Sequence, residues 1–151
     1  LPQDRFFHDH PRVKLRLLDQ ENERRRALAA LYSQKLAHSG LGLPDFDKGH
    51  THVFHQYVIR TPRRDQLREH LSSAGIGTLV HYPVPVHLQQ AYLSRIALGA
   101  GGLAETEKAC GEILSLPMHP HLSDEDAHRV ISALLGYPPV AVAHPEKRAD
   151  P

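Results

Sequence analysis

The sequence predicts an α/β fold in which four helices pack on a small sheet. Segments with helical and strand-like apolar spacing alternate along the chain, in the order helix, strand, helix, strand, helix, strand, helix. Glycines mark two of the expected helix ends, at Gly75 and Gly136. The 151 residues are one domain's worth of chain and are enough to bury a core.

The first helix is predicted over residues 11–38, because Pro11 suits the first helical position and Gly40 follows the last apolar residue. Its buried face is expected to be an apolar stripe: Leu17, Leu18, Leu28, Leu31, Tyr32 and Leu36. The charged stretch 19–26 is interpreted as a solvated face. The alternative is a contact with a nucleotide phosphate or a partner domain.

A strand is predicted over residues 52–60, with apolar side chains on both faces, so that it is expected to be central in the sheet. Thr61 is expected to cap the next helix and Pro62 to begin it. This second helix is predicted to reach Ala74 and to bury Leu67, Leu71 and Ala74.

The stretch GIGTLVHYPVPVHLQ, residues 75–89, has more polar ring side chains beside a rigid backbone than any other part of the chain. Gly75 suits the left-handed position after a helix, and residues 78–80 favour a short strand. Two prolines then fix their own φ angles and extend the residues before them. The resulting stiff loop is expected to hold four candidate binding residues: His81, Tyr82, His87 and Gln89.

The last third of the chain is predicted to contain a helix over residues 103–113, a strand over 114–118 and a helix opened by Ser123 as N-cap. The inward side chains of the first of these helices are expected to be Thr106, Cys110 and Ile113. The last helix has the cleanest apolar stripe of the chain: Ala127, Val130, Ile131, Leu134 and Leu135.

Composition excludes several classes of function. The net charge of +1 gives no strong field for nucleic acid or a membrane surface, and a single cysteine indicates a reducing, cytoplasmic setting. The 13 histidines suggest a metal, but His50 and His52 would point to the opposite strand face from His55. No catalytic or metal-binding residue is therefore predicted, although a His-based metal module remains a third hypothesis.

Four segments, in this order and spacing, resemble the DegT/StrS family of PLP-dependent nucleotide-sugar aminotransferases. They are RVKLRLLDQENERRRALAALY (12–32), HVFHQYVIR (52–60), GIGTLVHYPVPVHLQ (75–89) and LSLPMHPHLSDED (114–126). The resemblance implies the C-terminal small domain of a fold-type I aminotransferase over residues 11–136, with a mainly antiparallel sheet. Residues 1–10 do not match the family and are expected to be divergent or poorly ordered, and the proline-rich residues 137–151 to be a disordered tail.

By this resemblance, the loop with His81, Tyr82, His87 and Gln89 lines the cleft for a nucleotide-linked keto sugar in deoxyamino sugar biosynthesis. The family's pyridoxal phosphate and its lysine belong to the large domain, and none of the five lysines here stands in that lysine motif. The chain is therefore expected to bind no cofactor and to be inactive alone, as a fragment or truncated product. Its expected partner is a large-domain chain or a second copy. The alternative is a stand-alone binding or dimerisation module, and the sequence does not identify the sugar or the amino donor.

Overall fold

The computed structural model describes residues 3–45, 49–93 and 95–138, with side chains in the first helix from Lys14 onward. The elements are α1 (Gln3–Leu36), β1 (Tyr57–Arg60), α2 (Arg64–Ser73), α3 (Ala104–Glu112), β2 (Ile113–Leu116) and α4 (Asp124–Leu135). A single 3₁₀ turn, Val86–Leu88, lies between α2 and α3. The predicted α/β fold with four helices and a small antiparallel sheet is confirmed.

The sheet has two strands and is extended at each edge by one bridging residue. β1 and β2 run antiparallel, with Tyr57 opposite Leu116. Gly42 pairs with Arg60 of β1 through backbone hydrogen bonds of 2.9 and 2.8 Å. Leu79 pairs in the same way with Ser115 of β2. β1 is therefore bonded by β2 on one side and only by Gly42 on the other, where a central strand was predicted, and the strand expected at residues 78–80 is reduced to one bridge.

The core lies between the sheet and helices α1, α2 and α4. Tyr32 of α1 and Tyr57 of β1 are fully buried, with their ring centroids 5.2 Å apart. Helices α1, α2 and α4 each bury one apolar face, whereas α3 buries no side chain. The buried side chains of those three helices are Leu28, Ala29, Tyr32, Leu36, Leu67, Leu71, Ala127, Val130, Ile131 and Leu134.

Two helix termini have the predicted chemistry. Gly75 has a φ of +75°, and the Ile76 N–H donates to the Leu71 carbonyl at 2.8 Å, which closes a Schellman motif after α2. At α4, the Ser123 Oγ accepts from the Asp126 N–H at 3.0 Å. Both turns fix the direction in which the chain enters or leaves the core.

The bounds of α1 and β1 differ from the predicted ones. α1 begins at Gln3 instead of Pro11, since no glycine or proline interrupts residues 3–10. Leu17 and Leu18 remain exposed, because none of the described elements covers that end of the helix. The strand expected from residue 52 begins only at Tyr57, because Phe54 adopts a positive φ of 49° and breaks the extended run.

Smaller corrections concern the other elements. α2 begins at Arg64, because the Thr61 Oγ1 accepts from the Arg63 N–H in a preceding turn. Ala74, Thr106 and Leu135 are exposed instead of buried, and Ile113 belongs to β2, which already ends at Leu116. The predicted tail lies outside the described residues from 139 onward, and the boundaries predicted for the three segments stay predictions.

Candidate functional site

The loop of residues 77–89 leaves the outer edge of β2 and carries all four predicted binding residues. The structure separates them into two pairs. His81 and His87 are fixed to the body of the domain by side-chain hydrogen bonds. Tyr82 and Gln89 are exposed. The loop therefore has an inner, anchored side and an outer, accessible side.

His81 is anchored on β2. Its Nδ1 lies 2.9 Å from the Oγ of Ser115, which is only 6% exposed. The same serine makes both backbone bonds of the Leu79 bridge, at 3.3 and 2.8 Å. The edge of the sheet thus holds both the backbone before His81 and the imidazole itself.

His87 lies on the 3₁₀ turn and faces α3. Its Nε2 is 3.0 Å from the Glu107 Oε1, and its side chain is 6% exposed. This contact fastens the second half of the loop to α3. The predicted role of His87 in substrate binding stays a prediction, and in this geometry the imidazole is occupied by the carboxylate.

Tyr82 and Gln89 face outward. Tyr82 is 71% exposed, and its ring meets the His81 ring edge-on at 5.7 Å between centroids. The Gln89 Nε2 donates weakly to the Val84 carbonyl at 3.4 Å, which closes the proline-containing turn. A phenol and an amide at these positions can hydrogen-bond a ligand that lies over the loop.

A cavity of about 260 Å³ opens beside His81. It lies between the edge of β2, the turn before β1 and the start of the loop. Its polar lining consists of His55, Gln56, Thr78, His81 and Ser115, and its apolar lining of Leu79, Leu116, Pro117 and Met118, with Gly77. The cavity can therefore offer hydrogen bonds to a neutral group against an apolar wall.

Sequence reasoning missed four of these polar lining residues: His55, Gln56, Thr78 and Ser115. His55 was considered only as a metal ligand, and Ser115 only as part of a strand. The pairing of β1 with β2 brings residues about 60 positions apart together. These residues could have been found only from the register of the β1–β2 pairing, and the sequence pattern does not specify that register.

The described residues do not fit pyridoxal phosphate. The lining of the cavity contains no lysine, arginine, aspartate or glutamate. Lys14, Lys35 and Lys108 are exposed and lie elsewhere, while the cofactor needs a lysine for its Schiff base and an acidic partner. Within the described ranges, no three histidine, cysteine or acidic side chains are grouped to hold a metal ion.

A family model matches residues 11–135, and its description is the DegT/DnrJ/EryC1/StrS aminotransferase family. The chain belongs to this family. The match includes all four helices in part or whole, both strands and the loop with His81. None of the described helices is long and apolar enough to cross a membrane.

Two relatives show how similar the sequence is to those of known family members. The chain is 48% identical over 124 residues to dTDP-3-amino-3,4,6-trideoxy-alpha-D-glucose transaminase of Streptomyces venezuelae, covering 82% of this chain and 32% of the relative. It is 45% identical over 124 residues to the erythromycin biosynthesis sensory transduction protein EryC1 of Saccharopolyspora erythraea, covering 82% of this chain and 34% of EryC1.

The fold agrees with solved structures of the family. A crystal structure of S. venezuelae DesV in complex with a ketimine intermediate superposes with a TM-score of 0.78 at 47% identity, over 82% of this chain and 33% of DesV. An aminotransferase of the same family from Brucella abortus superposes with a TM-score of 0.77 at 36% identity, over 82% of this chain and 32% of the Brucella protein. The chain spans about a third of the length of these relatives.

Proposed function

We propose that the chain acts as the C-terminal domain of a PLP-dependent aminotransferase for nucleotide-linked keto sugars. In this role the loop of residues 77–89 forms one wall of the substrate cleft. The observation that carries the proposal is the cavity beside the anchored His81, in a chain nearly half identical to a transaminase named for a dTDP-linked amino sugar.

The exposed side of the loop supports a position against a larger body. Tyr82 and Gln89 are accessible, and residues 84–93, within and just after the loop, keep several large apolar side chains exposed. These side chains are Val84, Val86, Leu88, Tyr92 and Leu93, each at least 45% exposed. A surface of this kind is typical of a contact with another domain or chain.

The cofactor is proposed to be held by the rest of such an enzyme, and no transamination is expected from this chain alone. When bound there, pyridoxal phosphate supplies the carbonyl chemistry of amino transfer. This chain contributes binding and orientation, because Tyr82 and Gln89 can hydrogen-bond sugar hydroxyls or phosphate oxygens. His81 and His87 hold the loop in position through Ser115 and Glu107.

An activity assay tests the proposal. Amino transfer from an amino acid to a dTDP-keto sugar is measured for the 151-residue chain with added PLP, and for the longest polypeptide that its coding DNA upstream of residue 1 supports. We expect activity only for a polypeptide that also carries a PLP-binding lysine domain. In that polypeptide, Tyr82→Phe should raise KM for the sugar nucleotide, whereas Tyr92→Phe should leave it unchanged. Transamination by the chain alone, or none by the longer polypeptide, would contradict the proposal.

The alternative function is a stand-alone module that dimerises or binds another protein. The observation in its favour is the same exposed apolar segment, which would then contact a second copy. Upstream DNA without a PLP-binding domain would favour it.

A further inference from the structure

Ser115 makes three contacts with one short stretch of the loop. Its N–H donates to the Leu79 carbonyl at 2.8 Å, its carbonyl accepts from the Leu79 N–H at 3.3 Å, and its Oγ lies 2.9 Å from the His81 Nδ1. The residue is 94% buried in a strand whose neighbours are leucines. A buried hydroxyl needs a hydrogen-bond partner, and here that partner is the imidazole.

The contact with Ser115 determines which ring nitrogen of His81 is available to a ligand. Because Nδ1 is engaged by Ser115, only Nε2 remains to bond another group, and no other described residue bonds to it. His81 and Ser115 both line the cavity of about 260 Å³. The Ser115 hydroxyl can donate to a bare Nδ1 or accept from an Nδ1–H, so the contact fixes the position of the ring and leaves Nε2 for a ligand in either tautomer.

The lining and the volume of the cavity also restrict which ligands can bond to the His81 Nε2. Its lining contains two imidazoles but no lysine, arginine, aspartate or glutamate, so a diphosphate there would lack the arginine or lysine partners that phosphates normally receive. Its volume is below the ~300–1,000 Å³ of pockets that hold drug-sized ligands. Both features suit one uncharged ring with hydroxyl groups instead of a whole nucleotide.

We propose that Ser115 is a positioning residue that holds the His81 imidazole with Nε2 available to a hydroxyl group of an uncharged ring in this cavity. The identification of that ring as the sugar of a nucleotide sugar rests on the function proposed above. The positioning of His81 by Ser115 does not depend on it. The two parts are therefore tested separately.

The positioning is tested by proton NMR of the His81 ring in the absence of ligand. We expect nuclear Overhauser contacts between the His81 Hε1 proton and the β-protons of residue 115 in the wild-type chain, because Nδ1 lies 2.9 Å from the Ser115 Oγ, and we expect them to weaken in Ser115→Ala. Ser115→Thr should restore the contacts. Ser33→Ala is the matched control, since its Oγ makes a similar bond of 2.8 Å to the Tyr57 hydroxyl in the core.

An absence of these ring contacts in the wild-type chain would overturn the positioning role, even if Ser115→Ala failed to fold. The same conclusion would follow if Ser115→Ala kept the wild-type ring contacts. A loss of stability that was similar in Ser115→Ala and Ser33→Ala, with a loss of the His81 ring contacts only in the former, would support it.

Binding of an uncharged ring in the cavity is tested with a methionine label. Met118 lines the cavity and is the only methionine in the sequence, so ¹³C-methyl labelling gives one cavity signal, assigned by Met118→Leu. We expect dTDP-glucose at millimolar concentration to shift the Met118 methyl and the His81 ring signals, and thymidine diphosphate to leave both unchanged. Equal shifts with both probes would place the nucleotide in the cavity and overturn the inference, while the proposed cleft would stand. If neither probe moved Met118, His81 or Tyr82, the proposed cleft itself would be contradicted, and the ring contacts of His81 would still decide the role of Ser115.

Discussion

Two tyrosine hydroxyls buried in the described residues differ in their partners. The Tyr32 hydroxyl donates to the Pro117 carbonyl at 3.0 Å, next to the cavity wall. The Tyr137 hydroxyl is buried and has no hydrogen-bond partner within the described residues. We expect Tyr32→Phe to lower the free energy of unfolding by about 1 kcal/mol, because the partly buried Pro117 carbonyl loses its donor. Tyr137→Phe should be neutral or stabilising, because it removes an unpaired polar group and keeps the ring between Arg63 and His70. Urea unfolding of both variants checks this, and equal losses would contradict it.

The same core predicts a loss of stability at alkaline pH. Burial raises the pKa of Tyr32, and the neighbouring Tyr57 raises it further. Burial also raises the pKa of Tyr57, partly offset by its hydrogen bond to Ser33. A tyrosine whose pKa is raised in the folded state binds its proton more tightly there. Its contribution to the free energy of unfolding is therefore complete below the pKa of the unfolded state and is lost as the pH rises towards the pKa of the folded state. Above about pH 10 the free energy of unfolding should therefore fall, by up to about 1.4 kcal/mol per pH unit for Tyr32, with a further decrease from Tyr57. Urea midpoints from pH 8 to 11.5 measure this slope, and Tyr57→Phe should reduce it.

Residue types in the loop were predictable, whereas their orientation was not. The prolines and aromatic residues identified 75–89 as a stiff segment, and the structure fixes it through both histidines. Which side chains face inward depends on Ser115 and Glu107, which lie on other elements. Their contacts arise from tertiary packing that no local pattern encodes.

At the scale of elements, helix ends carry the strongest sequence signal. The side chain of Ser123 accepts from the Asp126 N–H and also donates to the Asp126 carboxylate at 2.8 Å. Ser123→Ala should lower the free energy of unfolding by about 1 kcal/mol, because it leaves an N–H at the start of α4 unpaired. Ser132→Ala, on the exposed face of the same helix, should change it by less than about 0.5 kcal/mol. Thermal or urea unfolding compares the two, and a smaller effect at Ser123 than at Ser132 would be inconsistent with the cap.

Two glycines give an opposite pair of effects. Gly75 has a positive φ in the turn after α2, so Gly75→Ala should cost about 1–2 kcal/mol of stability. Gly111 lies inside α3, and a Cβ at this position would meet no atom within 4 Å. Gly111→Ala should therefore stabilise by up to about 1 kcal/mol, through its higher helix propensity. The measurement is the shift of the urea midpoint, which should have opposite signs in the two variants.

Strands were predicted less well than helices for a physical reason. The expected strand of nine residues is observed as only four, and a predicted third strand is a single bridge. Alternating apolar residues describe an extended chain, but pairing requires a partner in register. Phe54 turns its side chain into the core instead of continuing the ladder, with its ring 6.2 Å from that of Tyr57. The order of the elements followed from local patterns, and the lengths of the strands followed from packing.

At the scale of the whole molecule, helix α1 is anchored to the rest of the domain from Arg24 onward. Arg24 donates to the Leu122 carbonyl at 2.6 Å and to the Asp124 carboxylate at 2.7 Å, which ties α1 to the start of α4. N-terminal to this anchor, Leu15, Leu17 and Leu18 are exposed. Part of the charged stretch 19–26 therefore binds α4 instead of solvent. Together with α3, which buries nothing, this leaves large surfaces for contacts outside the domain.

These surfaces predict self-association of the chain when it is expressed alone. Val86 in the loop and Leu93 just after it are each more than 50% exposed. Sedimentation at increasing protein concentration should give an average mass above that of the monomer, and Val86→Glu with Leu93→Glu should return it to the monomer. Leu135→Glu is the matched control, since Leu135 is equally exposed on α4. A wild-type chain that is monomeric at all concentrations would remove the basis for the dimerisation module.

The pairing of β1 with β2 also determines the order in which the domain forms. The Arg60–Glu112 ion pair at the end of the ladder joins residues 52 positions apart, so the intervening segment must close as a loop before the ladder can form. Helices need only local contacts and form early, while such distant pairing is slow. His81 lies inside the closed segment and depends on Ser115 of β2 for its orientation. The proposed binding surface should therefore assemble last, and substitutions that slow closure of the ladder should delay the appearance of ligand binding more than that of helical structure.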